Sequence, residues 1–137
     1  MRKLPCLAGA LWLAGIAAAG AIEFKPYPTA RITQAQWQGY LDGIKAAHGA
    51  SAQEFREQRL VVFQDNATVT SYAFTLPGHA AHPAWVARRV TGFGGDVKLD
   101  TIGYFAGEEA AFAELFRQYQ ALNQRMIEDL KRQKGAR

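Results

Sequence analysis

"LVVFQDNATVTSYAFT", residues 60–75, decides the fold class. Leu60–Phe63 is a compact apolar run with two β-branched residues, which reads as a strand. Asp65-Asn66 supplies turn chemistry, because both side chains can satisfy nearby backbone groups. Thr68–Thr75 is rich in Thr, Val, Tyr and Phe and suits a second strand running back along the first. Outward from this hairpin, Trp85–Val90 reads as a third strand and Thr91–Asp96, TGFGGD, as a glycine turn. Residues 97–105 alternate Val97, Leu99, Thr101, Gly103 and Phe105 against Lys98, Asp100, Ile102 and Tyr104, giving a fourth strand with its second face partly buried.

Helices flank the strands on both sides in sequence. Thr33 followed by Gln36 is a capping-box pattern, and Ile32 with Trp37 stands where a hydrophobic staple would pack. Trp37, Tyr40, Leu41 and Ile44 recur on one helical face, and Gly49 is a plausible stop. Gly39 and Gly43 weaken this helix and, four apart, could admit another element closely. Ser51 with Glu54 repeats the capping pattern and suggests a short helical turn. Phe112, Leu115, Phe116, Tyr119, Leu122, Met126 and Leu130 hold helical spacing over about five turns. Glu108 and Glu109 stand at the start of that run and Lys131, Arg132 and Lys134 at its end, as the helix dipole favours. The expected fold is α+β: an N-terminal helix, a four-stranded antiparallel meander, and a long C-terminal helix packed on one face of the sheet. Cystatin-like and related rolls share that order, an architectural analogy that carries no function.

The first residues read as an address. Arg2 and Lys3 precede an uncharged run through Ile22, and Ala19-Gly20-Ala21 offers small residues for a peptidase. The expectation is a secretory signal peptide over residues 1–21 and a single α+β domain over 22–137, in a periplasmic or secreted protein. The rival is a retained anchor, which so much Ala and Gly would insert only weakly. Cleavage would remove Cys6, the only cysteine, and with it any thiol or disulfide chemistry. It would also reduce the net charge from +4 to +2, which weakens the case for nucleic-acid binding. No cofactor motif and no membrane span after cleavage are expected.

"PGHAAHPAW", residues 77–85, carries two of the three histidines. His79 and His82 could supply two ligands to a metal, with His48, Asp65 or Asp96 as a third. Pro83 pushes His82 toward extended conformations, so this is not the helical pair of a metalloprotease. A rigid inter-strand loop is the plainer reading. Arg88-Arg89 should point to opposite faces of the third strand. One of the two could bind a carboxylate or phosphate, or the pair could protect a sheet edge. Tyr72 and Phe74, or Trp85 with Phe93, would line a concave patch if one sheet face were open, and such patches mark partner sites.

No catalytic set emerges. The reading that follows is an exported, non-enzymatic module that recognises another envelope protein, as an inhibitor, immunity factor or assembly accessory. Its contact region would be His79, His82, Trp85, Arg88, Tyr72 and Phe74. The alternative is a small-ligand or metal-binding protein, or a modest hydrolase, using the His79/His82 loop. A third possibility is self-association through the C-terminal helix.

Overall fold

The computed structural model of the 137-residue chain describes residues 28–92 and 97–135. Residues 1–21, with the expected signal peptide, lie outside them, as do Phe93 and Asp96. The described residues form an α+β unit in the order α1 (Gln34–His48), a 3₁₀ turn (Gly49–Ser51), β1 (Gln53–Phe55), β2 (Leu60–Asp65), β3 (Thr70–Thr75), β4 (Ala84–Thr91), β5 (Lys98–Phe105) and α2 (Glu109–Gly135). The strands form one antiparallel meander, β1-β2-β3-β4-β5. The expected four strands are therefore five. The Ser51/Glu54 pattern suggests a helical turn starting at Ser51, but the 3₁₀ turn is Gly49–Ser51, and Gln53–Phe55, one residue further on, pairs with Leu60–Val62 instead.

Helix α1 begins as its sequence predicts. The Gln36 backbone N–H donates to Thr33 Oγ1 at 3.0 Å and the Thr33 N–H donates to Gln36 Oε1 at 2.9 Å, closing the capping box. Trp37, Leu41 and Ile44 form its buried face. Gly39 faces open space, so no close approach requires it. Gly39→Ala is expected to raise stability by about 0.5–1 kcal/mol, read from urea midpoints.

The apolar stripes of the two helices suggest a single sheet face covered by both, but the helices lie on opposite faces. Val61, Phe63, Tyr72, Phe74, Trp85, Ala87 and Tyr104 pack with the buried face of α1. Ala84, Val86 and Phe105, which alternate with that set along β4 and β5, pack with Phe112 and Leu115 of α2. Gly103 permits this second layer: a Cβ there would meet the Phe112 ring at 2.6 Å and the Phe116 ring at 2.8 Å. A 27-residue helix spans about 40 Å, whereas the eight-residue strands beneath it span about 27 Å. Helix α2 thus outruns the sheet, and its apolar stripe passes from buried Phe112 and Leu115 to exposed Met126 (39%) and Leu130 (45%). Among the described residues no helix is long and apolar enough to cross a membrane.

Candidate functional site

The structure disperses the residues that the sequence grouped. Tyr72, Phe74 and Trp85 face α1 and are fully or almost fully buried. The Trp85 ring stacks on Phe74 at 5.6 Å and on Tyr40 at 4.7 Å and lies 5.0 Å from Tyr104. These three are therefore core, a correction to the expected surface patch. Its cause is that α1 covers the very face that an open sheet would have exposed. Arg88 and Arg89 do not protect an edge either, because β4 is paired on both sides, with β3 and β5.

The histidine loop is a tight, internally bonded connection between β3 and β4. Gly78 adopts φ +97° beside the Arg59 guanidinium, a backbone conformation that L side chains rarely adopt. The backbone N–H of His79 donates to Leu76 O and that of His82 to His79 O. The His82–Pro83 peptide is cis. Ala84 N–H donates to Thr75 Oγ1 at 2.9 Å, and Thr75 Oγ1 donates to Ala84 O at 3.1 Å, so a side chain replaces the backbone at this end of the ladder. His82 Nδ1 lies 2.8 Å from Thr75 Oγ1 and 3.2 Å from Thr75 O. With the hydroxyl proton committed to Ala84 O, Nδ1–H of His82 is the donor and Nε2 carries the lone pair. His79 is the reverse: Ala81 N–H donates to its Nδ1 at 2.9 Å, which places the proton on Nε2.

That pairing of opposite tautomers does not suit a two-imidazole metal clip. A metal at His79 Nε2 would have to displace the proton that the Ala81 contact fixes there. Among the described residues no three His, Cys, Asp or Glu side chains converge. His48 and Asp65 are occupied elsewhere, at the end of α1 and the β2–β3 turn, with Nε2 to Oδ2 at 3.7 Å. Burial works against ionisation of Asp65, but hydrogen bonds from the Thr68 hydroxyl and the Thr68 and Ala67 N–H groups, with nearby His48, hold its carboxyl below the usual range.

Burial pushes both loop histidines below the ordinary histidine value. The proximity of His82 and then Arg59 lowers His79 further, while the Thr75 carbonyl partly offsets the shift at His82. The unfolded chain therefore binds protons first as pH falls. Stability is present above about pH 6.5 and declines as pH drops below it. Replacing both histidines by Gln is expected to flatten melting temperature between pH 7 and pH 5, measured by circular dichroism.

Arg88 faces α2. Its Nη1 donates to Asn123 Oδ1 at 3.0 Å and its guanidinium carbon sits 5.0 Å over the Tyr119 ring. Asn123 Nδ2 donates in turn to Thr101 Oγ1 at 2.5 Å. This polar chain ties α2 to β4 and β5.

A feature that the sequence did not reveal lies along the outer edge of β5. Phe105 N–H donates to Ala30 O and Phe105 O accepts from Ile32 N–H, so among the described residues the segment before α1 pairs with the end of this strand alone. In an antiparallel ladder alternate residues direct both backbone groups to the same side. Leu99, Thr101 and Gly103 therefore direct theirs outward, and among the described residues nothing pairs with them. Beside them opens a cavity of about 340 Å³ lined by Ala30, Thr101, Ile102, Gly103, Phe112 and Phe116, among others. The opposite edge, β1, has three residues, all exposed. No protein-family model, curated protein or solved structure matches the chain.

Proposed function

We propose that this chain is an exported, non-enzymatic binding module that captures an extended segment of another envelope protein along the β5 edge. The observation that carries the reading is the row of outward backbone groups at Leu99, Thr101 and Gly103 beside a largely apolar cavity. Strand addition uses this combination: main-chain hydrogen bonds give affinity, and a pocket for alternate side chains gives specificity. Lys98 and Asp100 place charges along the same strand, which discourages pairing between copies while leaving a complementary segment free to dock. Export rests on the N-terminal pattern of Arg2, Lys3, the uncharged run and Ala19-Gly20-Ala21. The histidine loop is then a structural connection and not the contact surface.

The test is selection from a displayed library of linear fragments of envelope proteins, followed by measurement against Ala30→Trp. Ala30 is exposed at the rim of the cavity, so the larger side chain fills the pocket without disturbing the core. Selected segments with alternating apolar residues, bound at least ten times more weakly by Ala30→Trp, are the expected result. Segments that bind both proteins equally would place recognition elsewhere.

A further inference from the structure

We infer that a second site, on the α2-covered face of the sheet near the β2–β3 turn, binds a small amphipathic carboxylate through Arg88. Arg88 is half-buried between β4 and α2. Among the described residues its one oxygen acceptor is the neutral Asn123 amide, and no carboxylate lies within ion-pairing distance of it. A guanidinium presents five donors, and this one has spent a single nitrogen on Asn123 and the Met126 sulfur. Burial accordingly lowers its basicity, with the Tyr119 ring acting in the other direction. A cation withdrawn from water without a counter-charge is costly, and an anion within reach would relieve that cost.

There is space for one. A cavity of about 210 Å³ opens at Arg88. Ser71 stands directly across the ladder from Arg88, so its hydroxyl lies on the same face. The apolar part of its lining is Val90 and Leu99 from the sheet, exposed Val69 (45%) at the β2–β3 turn, and Met126 from α2, while Gln64, Asn66 and Thr70 add neutral polar groups. Asp65 borders the cavity, but strand alternation turns its side chain toward His48, and both of its oxygens are engaged by Thr68, Ala67 or His48. A cavity of about 150 Å³ accepts benzene, so this one suits a carboxylate head with a short aliphatic or single-ring tail. The head would pair with Arg88 in a bidentate geometry and accept from Ser71, and the tail would lie on Val69, Val90, Leu99 and Met126.

The experiment is a chemical-shift titration of the intact protein with octanoate, with octanol as the uncharged tail and inorganic phosphate as the tailless anion. Octanoate is expected to shift the Leu99, Val90 and Met126 methyl signals and the Arg88 side-chain N–H, whereas octanol and phosphate leave the same signals unmoved at matched ionic strength. Arg88→Met should weaken octanoate by about 10- to 100-fold, the loss of a charge-assisted pair. Should that variant unfold, Val69→Asp decides, since it sets an acid at the exposed mouth and should abolish binding. A peptide with a free C-terminal leucine provides the other source of an apolar carboxylate. Binding of octanol or phosphate as tight as that of octanoate, tighter binding of the peptide, or no octanoate shift at all would overturn the inference.

Discussion

Trp85→Ala is expected to destabilise the protein by about 3–5 kcal/mol, the range for removing a buried large aromatic. The indole is fully buried and lies among Tyr40, Phe74 and Tyr104. Its removal leaves a cavity at the centre of the α1 layer, and β4, paired on both sides, cannot collapse into it. For a domain of this size the melting temperature should fall by on the order of 15–20 °C. A calorimetric scan checks this. A fall of only a few degrees would mean that the ring is peripheral, as a contact residue would be.

Asn123→Ala is the second large effect, about 2–3 kcal/mol. Asn123 is buried and bridges Arg88 and Thr101, which neighbour each other across β4 and β5. Its loss removes the one oxygen acceptor that a half-buried cation has among the described residues and leaves the Thr101 hydroxyl without its donor. The damage should be localised. The C-terminal half of α2 rests on few other contacts, because Met126 and Leu130 are exposed, whereas Phe112 and Leu115 still anchor the first half. Hydrogen exchange is therefore expected to accelerate after Asn123 and to remain slow around Leu115. Uniform acceleration along the whole helix would show instead that α2 docks as one unit.

Local signals in the sequence carried the architecture a long way. The Thr33/Gln36 box, the hairpin over residues 60–75 and the period of α2 each depend on neighbours within a few positions, and each forms where those neighbours indicate. Strand β1 was not legible, because Gln53, Glu54 and Phe55 are all exposed and acquire strand form only by pairing with β2. The placement of the helices on opposite faces had left a trace. Ala84-Trp85-Val86-Ala87 is apolar at four successive positions, the mark of a strand covered on both sides. Reading β4 in that way would have assigned Tyr72, Phe74 and Trp85 to a core at once.

The candidate sites were less legible. The histidines draw the eye in a sequence, yet their bonds to Thr75 and Ala81 are those of a rigid loop. Arg88 was visible as a cation that could take a carboxylate or phosphate. Its half-burial depends on α2, some 35 residues away, and no local pattern reveals that. An open strand edge has no sequence signature at all, since it is defined by what does not pair with it.

The most direct test of strand capture is residue-resolved amide exchange along β5. In the free protein Ile102 and Tyr104, whose N–H groups point into the ladder with β4, are expected to exchange slowly, whereas Leu99, Thr101 and Gly103 exchange fast. A selected segment should slow those three amides and leave their neighbours unchanged. Fast exchange at Leu99, Thr101 and Gly103 that persists with the segment fully bound would contradict strand addition at this edge.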